Sequence, residues 1–301
     1  MAVVASRAVA MSIQAAFDQM RRNLELTGLQ QSTVATRQRN VRLAVAKELS
    51  VVGDFLTGSY VRKTLIGPLA KADVDILVVL DQQYRSRGAR NVLDMVRRAL
   101  LKTYETPDIS RNGQAITINF SDFSVDVVPA FQQHWYFGGR YEICDSGSDK
   151  WIETNPKKHA EISSAANSAH SGKLVPCIKQ IKAWNRAANR PLRSFHVEVL
   201  AWEIFGRSPW PFSRMGSDWG NTRYFFDQAR QRVRRMQQDP AGTGKDVGAY
   251  LHGLALEAAA SKLKTAYERC TRAETATANG RLSDAHASYR LVFGNYYPDY
   301  Q

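Results

Sequence analysis

The sequence predicts a mixed α/β fold with two lobes, in which a β-rich middle part is followed by a long helical part. Short runs rich in β-branched and aromatic residues fill residues 55–143, as is typical of strands. Beyond Pro156 the apolar residues recur at helical spacing instead. We therefore expect N-terminal helices that bridge the lobes over 1–50, an α/β core over 51–150 and a helical C-terminal lobe over 151–301.

Two helices are predicted before the first strand. A break at Thr27-Gly28-Leu29 separates them, and Ser32 is expected to cap the second helix. The apolar face of the first would consist of Ile13, Phe17, Met20 and Leu24, and that of the second of Val34, Val41, Val45 and Leu49.

The β-rich part contains two further predicted features. A helix over about 90–104 would carry Val92, Val96 and Leu100 on one face. A hairpin is expected where the aromatic run 135–137 turns at Gly138-Gly139 into the segment that begins at Arg140.

Carboxylates with strand spacing are the most informative feature of the core. Asp73 and Asp75 flank Val74 and precede an apolar run, so on a strand both would point to one face while Val74 points to the other. Asp126 lies between Val125 and Val127 in a second such run. Because carboxylate oxygens suit Mg²⁺, which completes its shell with phosphates, three converging Asp residues indicate phosphate chemistry.

A Thr57-Gly58-Ser59-Tyr60 turn precedes the Asp pair. Small residues let backbone N–H groups approach a polyphosphate closely, and the Ser59 hydroxyl adds a donor. A Gly-Ser pair alone is a weak signal. The combination is specific, because the Gly-Ser pair is followed first by Asp-x-Asp and then by an Asp on another predicted strand.

At this point the residues carry a resemblance. The strings 58–66, 73–78 and 124–129 resemble the nucleotidyltransferase core of the bacterial CD-NTases, relatives of cyclic GMP-AMP synthase and oligoadenylate synthase that serve anti-phage (CBASS) defence. Downstream, the strings 177–184 and 192–198 are similar to the family's Lys-containing helix and its Ser-aromatic-His segment, and 239–242 to a late loop. The resemblance therefore covers about 57–247.

The resemblance implies a polymerase-β-like nucleotidyltransferase core and a set of site residues. Asp73, Asp75 and Asp126 would bind two Mg²⁺ ions, which Mn²⁺ could replace, and Gly58 and Ser59 would hold the donor triphosphate.

In the helical lobe, the resemblance assigns a phosphate contact to Lys182, a triphosphate contact to Ser194 and base stacking to Phe195. The residues themselves leave alternatives open. Lys179 and Lys182 could form a solvated basic helix face, and Phe195 could be a core residue.

The implied activity is the joining of NTPs, ATP among them, into a cyclic oligonucleotide, with an adenine-containing cyclic dinucleotide as the expected product. The same site could instead make linear oligonucleotides or transfer a nucleotide to RNA or a small molecule. A catalytically degenerate nucleotide or nucleic-acid sensor is the alternative of another class, and its usual mark would be loss of an Asp. All three Asp residues are present.

Composition sets the expected partners and compartment. The chain has 41 Lys and Arg against 28 Asp and Glu, a net charge of +13, which favours a polyanionic partner. Three scattered cysteines indicate neither a disulfide framework nor a zinc motif, and no apolar run suits a membrane span or signal peptide. We expect a cytoplasmic monomer that contacts no membrane, and the resemblance implies a cyclic-nucleotide-responsive effector as its downstream partner.

Several sequence features resemble functional motifs without matching them. Gly242-Thr-Gly-Lys245 has Asp239 and Asp246 where a Walker A loop needs Gly and Ser or Thr. His159, His170 and Cys177 lack the clustering of a zinc site. The zinc insertion of the animal DNA sensor has no counterpart, so duplex DNA is not an expected activator. A solvated helix face is the expected role of the remaining basic run, Arg230, Arg232, Arg234 and Arg235, with a regulatory site as the alternative.

Overall fold

A computed structural model describes residues 11–104, 108–133, 139–145, 147–206 and 215–300. It confirms the predicted mixture of a β-sheet with many helices. By contacts, the chain forms two compact units. The sheet unit comprises Glu25–Val175 and Gln238–Asp246, and the helical unit comprises Met1–Leu24, Pro176–Gln237 and Val247–Gln301.

Within the described residues, the sheet unit is built on a seven-stranded sheet. The strands are β1 Val51–Leu56, β2 Asp73–Leu80, β3 Asp108–Asn112, β4 Ala115–Asn119, β5 Ser124–Gln132, β6 Tyr141–Asp145 and β7 Lys150–Thr154. Their order is β1-β2-β5-β4-β3, with β6 pairing with the end of β5 and β7 with β6. Strands β2 and β5 are parallel, whereas the other pairs are antiparallel.

The sheet unit also holds helices that begin with α2. They are α2 Gly28–Ala46, the single turn α3 Gly58–Val61, α4 Ala89–Leu101 and α5 Pro156–Ala169, with 3-10 turns at Leu69–Lys71 and Gln82–Arg87. The predicted helix over about 90–104 is α4, and its three predicted apolar residues are buried.

Alternation along the central strands gives the sheet two different faces. On one face, Val74, Ile76, Val125 and Val127 join the buried side chains of α2 and α4 in the main hydrophobic core. The other face carries Asp73 and the next odd-numbered residues of β2, and it becomes apolar further along, where a smaller cluster forms. That cluster contains Leu77, Val79, Ala130, Tyr141 and Ile143. The polar part of this face therefore lies at the start of β2 and β5.

The helical unit contains α1 and the C-terminal helices. They are α1 Ile13–Leu24, α6 Leu174–Ala187, α7 Ser194–Gly206, α8 Asp218–Arg232, α9 Gly253–Ala278 and α10 Leu282–Phe293, with a 3-10 turn at Gly294–Tyr296. The first two residues of α6 belong to the sheet unit and the rest of it to the helical unit. Phe17 of α1 lies at the centre of an aromatic cluster, with ring centroids 5.0 Å from Tyr289 and 5.5 Å from Tyr297. The predicted apolar face of α1 is buried as a whole.

Other expectations are settled in part. The turn of the predicted hairpin at Gly138-Gly139 begins outside the described residues, although β5 and β6 on either side do pair antiparallel. The boundaries at residues 50 and 150 stay a prediction. Within the described ranges, no helix is both long and apolar enough to cross a bilayer.

The predicted cap of α2 is wrong. The helix begins one residue after Thr27, whose hydroxyl accepts the Gln30 backbone N–H at 3.2 Å while the Gln30 side chain accepts the Thr27 N–H at 2.9 Å. This reciprocal capping box satisfies two N–H groups at once. Ser32 lies inside the helix and donates its hydroxyl to the Leu29 carbonyl. A capping Thr followed by Gln three residues later was the signal available in the sequence.

This correction is testable with a matched pair of substitutions. Thr27→Ala removes an N-cap and should lower the free energy of unfolding by about 1 kcal/mol. Ser32→Ala should change it by less than about 0.5 kcal/mol, as is usual at a surface position. Urea denaturation of both variants measures the difference, and a larger loss for Ser32→Ala would contradict the observed cap.

Candidate active site

The carboxylates predicted on strands meet at the parallel pair of β2 and β5. Asp75 lies directly opposite Asp126 in the register, and Asp73 lies opposite Ser124. Because paired residues of adjacent strands share a face, and residues two apart do so as well, all three Asp residues belong to one face of the sheet. Asp73 is exposed, whereas Asp75 and Asp126 are half-buried.

Asp126 is held from its other side by β4. Thr117 is its register partner on that strand and donates its hydroxyl to Asp126 Oδ1 at 2.6 Å. Burial raises the pKa of the Asp126 carboxyl, and the negative charge of Asp73 raises it further, although the Thr117 hydrogen bond works in the opposite direction. The charge of Asp73 therefore opposes ionisation of Asp126, and a bound cation would relieve this.

Gly58 brings the chain against Asp75. The backbone N–H of the preceding residue, Thr57, donates to the Asp75 carbonyl at 2.9 Å. Gly58 itself has φ +65°, and a Cβ added there would lie 1.7 Å from Asp75 Oδ2. The position thus requires glycine twice, once for its backbone conformation and once for the space that the carboxylate occupies. Ser59 follows in the single turn α3 and is half-buried.

The donor set suits Mg²⁺ better than a softer metal. It consists of carboxylate oxygens, with a threonine hydroxyl behind one of them, and contains neither thiolate nor imidazole. Across the part of the chain that the structure describes, no three His, Cys, Asp or Glu side chains form a group ready to hold a metal ion. Metal binding by Asp73, Asp75 and Asp126 accordingly stays a prediction that rests on register and on donor chemistry.

Lys182 lies in the helical unit and is not part of a solvated face. On α6 it is only 5% exposed, and Lys179 is similarly buried. The Lys182 ammonium donates to Glu198 Oε1 at 2.6 Å, and Glu198 on α7 is completely buried. Burial of two charges is tolerated because they are paired. A phosphate contact by Lys182 stays a prediction, with the added fact that this ammonium also neutralises a buried carboxylate.

Ser194 and Phe195 form the start of α7. Ser194 is exposed at the first helical position. Phe195 is half-buried, and its ring packs against Trp202, about two helical turns further along α7, with ring centroids 6.0 Å apart. The proposed triphosphate and base contacts of these residues stay predictions.

Two residues that contact the predicted site residues were not predicted from the sequence. Thr117 lies between two buried isoleucines, so strand alternation in the run 115–119 could have placed it on the polar face. Glu198 is a lone acidic residue among the apolar residues of the stretch 197–202. A carboxylate in such a helix needs a cationic partner, and Lys182 sixteen residues earlier supplies it.

His159 and the loop that contains Asp239 have a structural role. His159 Nε2 lies 2.6 Å from Asp239 Oδ1, which ties the loop 238–246 to α5 within the sheet unit. Burial alone would raise the pKa of Asp239, but hydrogen bonds from His159, Thr243 and the Ala241 N–H outweigh it and lower the pKa to about 2.

The arginine run is partly solvated, with Arg234 and Arg235 exposed, and it is also ion-paired. Arg230 pairs with Asp227 at 2.7 Å, Arg232 with Glu203 at 3.0 Å, and Arg234 with Glu257. Asp227 is on α8 itself, whereas Glu203 and Glu257 come from the neighbouring helices α7 and α9, which both pack against α8. Most of this positive charge is therefore already paired.

Comparison with known proteins identifies the family. Residues 11–167, just over half of the chain, match the Second Messenger Oligonucleotide or Dinucleotide Synthetase (SMODS) domain. The chain belongs to this family. It is therefore a nucleotidyltransferase of the cyclic oligonucleotide synthase type, which confirms the resemblance to the CD-NTases.

Two curated relatives support this assignment. A probable cyclic nucleotide synthase from Bacillus cereus is 23% identical over 277 residues, which cover 81% of this chain and 82% of the relative. A cyclic AMP-AMP-AMP synthase from Acinetobacter is 30% identical over 141 residues, covering 45% of this chain and 40% of that one.

Solved structures show the same fold at low identity. CdnC from Escherichia coli MS115-1 with ATP superposes with a TM-score of 0.75 at 15% identity, over 95% of this chain and 99% of CdnC. The Bradyrhizobium diazoefficiens CD-NTase CdnG with GTP gives a TM-score of 0.75 at 13% identity, over 93% and 95% of the two chains.

The Gly58 contact generates a prediction with an internal control. Gly58→Ala should displace the Asp75 carboxylate and reduce NTP turnover by about 100-fold, since shifts near 1 Å in a reacting group have such effects. Gly113→Ala has a similar backbone, φ +59°, with no atom within 4 Å of the new Cβ. Both variants should lose about 1–2 kcal/mol of stability from the left-handed backbone.

Turnover assays and thermal unfolding of the two glycine variants separate these effects. Only the Gly58 variant should lose activity, and its melting temperature should fall at least as far as that of the Gly113 variant, because its new Cβ also clashes with Asp75. Equal activity in both variants would mean that the Asp75 carboxylate has no role in turnover.

The buried ion pair on α6 and α7 makes a second prediction. Lys182→Met alone leaves Glu198 buried without its cation and should cost about 3–5 kcal/mol of stability. The double variant Lys182→Met/Glu198→Leu should recover most of that loss. If Lys182 also contacts phosphate, the stable double variant should still bind ATP about tenfold more weakly.

Calorimetric ATP titration of the double variant is the measurement. Lys179→Met, at an equally buried position of the same helix, is the control and should weaken ATP binding less. Wild-type affinity in the double variant would show that Lys182 serves Glu198 alone.

Proposed function

We propose that this synthase joins NTPs, with ATP as one substrate, into a cyclic oligonucleotide second messenger for anti-phage defence, in a Mg²⁺-dependent reaction. The observation that carries the proposal is the pairing of Asp75 with Asp126 across two parallel strands, with Gly58 packed against Asp75. This arrangement concentrates carboxylates beside a glycine-containing backbone turn, which is the kind of site that metal-assisted nucleotidyl transfer requires.

The chain's own residues have distinct roles in this proposal. Asp73, Asp75 and Asp126 hold the metal ions, and Thr117 orients the Asp126 carboxylate through its hydrogen bond. Mg²⁺, when bound, lowers the pKa of the acceptor hydroxyl and neutralises the leaving pyrophosphate. Gly58 lets the backbone approach the donor triphosphate, and Ser59 donates its hydroxyl to a phosphate oxygen.

The helical unit contributes the remaining proposed contacts. Lys182 and Ser194 would bind phosphate oxygens, and Phe195 would stack on a base. Its half-buried ring has the partial exposure that stacking needs, and base stacking contributes about 1–3 kcal/mol in comparable sites.

We infer an adenine-containing product, with a cyclic dinucleotide as the first candidate. A cyclic trinucleotide is the second candidate, because the Acinetobacter relative is named a cyclic AMP-AMP-AMP synthase and is 30% identical over the matched region. The solved relatives include one with ATP and one with GTP, so either base fits the fold.

The proposal includes a cellular setting. A cytoplasmic monomer would pass its product to a cyclic-nucleotide-responsive effector, without duplex DNA as activator. The three cysteines, all buried and free, suit a reducing compartment. Ion pairing of Arg230, Arg232 and Arg234 reduces the positive charge that the arginine run offers to nucleic acid.

The test is incubation of the purified protein with labelled ATP, GTP, CTP and UTP, with and without Mg²⁺. We expect a product that resists phosphatase, and mass spectrometry with nuclease digestion then gives its bases, ring size and linkage. A phosphatase-sensitive product with a free triphosphate would replace cyclisation by linear synthesis.

Replacement of both carboxylates of β2 provides the decisive variant. Asp73→Asn/Asp75→Asn should abolish NTP consumption because the metal ligands are lost. Its melting temperature without metal should not fall, because the charge of Asp73 that opposes ionisation of Asp126 is removed. Turnover at the wild-type rate in this variant would refute the assignment of the site.

A further inference from the structure

The start of α7 needs outside support if it is to hold substrate. The first N–H groups of a helix have no partner within the helix, so its first turn tends to fray. Ser194 and Phe195, the two proposed substrate contacts of α7, lie in that first turn. Arg193, just before them, accepts the first intrahelical hydrogen bond from Val197. A chain of hydrogen bonds surrounds this turn.

The direction of these hydrogen bonds is fixed at one end by backbone carbonyls. The side-chain amide of Gln237, a buried residue, donates to the carbonyls of Arg232 and Arg235 beyond the end of α8. A carbonyl can only accept, so the NH₂ group of Gln237 must face the two carbonyls. Its Oε1 atom is thereby turned toward His196, at 2.8 Å from Nε2.

The amide orientation determines the tautomer of His196. Because Gln237 Oε1 accepts, His196 Nε2 must carry a proton, and in the neutral ring Nδ1 is then an acceptor. Nδ1 lies 3.1 Å from the Tyr250 hydroxyl, which therefore donates its proton to His196. His196 is fully buried, so this geometry is shielded from water.

Tyr250 completes the chain at the other side of the turn. Its hydroxyl oxygen accepts the Arg193 backbone N–H at 2.7 Å, and the Arg193 guanidinium lies over its ring, 4.2 Å from the centroid. Tyr250 thus binds Arg193, the residue before Ser194, and also His196, the residue after Phe195. The two proposed substrate contacts are bracketed by one tyrosine.

We propose that Tyr250, His196 and Gln237 are positioning residues for nucleotide binding, which hold the first turn of α7 so that Ser194 and Phe195 meet the substrate in a fixed geometry. This inference rests on the proposed function of those two residues. The positioning residues touch α7 and α8 and need not touch substrate themselves. Removal of one of them should affect substrate binding more than the chemical step.

Tyr250→Phe is the most selective variant, because it keeps the ring under Arg193 and removes only the hydroxyl. The ATP KM should rise roughly three- to tenfold, the effect of one lost hydrogen bond, while kcat changes by less than about twofold. Tyr224→Phe is the matched control, since Tyr224 lies in the same unit with its ring against Phe205 and 42% of its surface exposed. It should behave as wild type.

Two measurements without turnover test the same contacts. In the wild-type protein, ¹⁵N NMR should show His196 as the Nε2–H tautomer, and the Arg193 amide should exchange slowly. In Tyr250→Phe the Arg193 amide should exchange faster, and a non-reactive ATP analogue should bind roughly three- to tenfold more weakly. These readouts remain available if no cyclic product forms, so failure of the proposed function is distinguishable from failure of this inference.

Each outcome decides the inference. The inference is supported if KM rises and the Arg193 amide exchanges faster in Tyr250→Phe but not in Tyr224→Phe. Unchanged KM and analogue binding, with only a lower melting temperature, would reduce Tyr250 to a stabilising residue and overturn the inference. An Nδ1–H tautomer of His196 would overturn the assigned hydrogen-bond direction.

Discussion

In-register pairing of the parallel strands β2 and β5 is the constraint on which the candidate site depends. It places Asp75 opposite Asp126 on the same sheet face as Asp73. Burial and, to a smaller extent, the charge of Asp73 raise the pKa of Asp126, so ionisation of this carboxyl opposes folding. The register holds because a slip of one residue would turn Val74 and Ile76 out of the main core and the carboxylates into it. Hydrophobic burial on one face therefore maintains charge repulsion on the other.

In the helical unit, by contrast, buried charged and polar groups are paired with one another. Lys182 and Glu198 neutralise each other inside the unit, and Gln237, His196 and Tyr250 form a chain in which every named hydrogen bond has a defined donor and acceptor. Such satisfied polar contacts fix side-chain geometry because breaking any of them leaves a buried group without a partner. A sheet face that collects carboxylates suits metal binding, whereas the paired charges of the helices suit rigid presentation of the proposed substrate contacts.

Net charge and local charge differ in this protein. The chain carries +13, yet Arg230, Arg232 and Arg234 are each paired with a carboxylate of the same unit. Composition counts every arginine equally, whereas binding of a polyanion depends on the charge that remains exposed. The family assignment adds what composition could not, namely that the polyanions handled by the enzyme are nucleotides.

The sequence by itself determined the α/β class, the strand-borne carboxylates, the helix α4 and the family resemblance, because these depend on local periodicity and on short motifs. The cap of α2 was also readable, from Thr27 and Gln30, but Ser32 was chosen in its place. Only the tertiary structure decided that Lys182 faces Glu198, that Thr117 supports Asp126 and that Tyr250 brackets the first turn of α7. These contacts join residues up to 57 positions apart, and no local pattern encodes which distant partner satisfies a buried polar group.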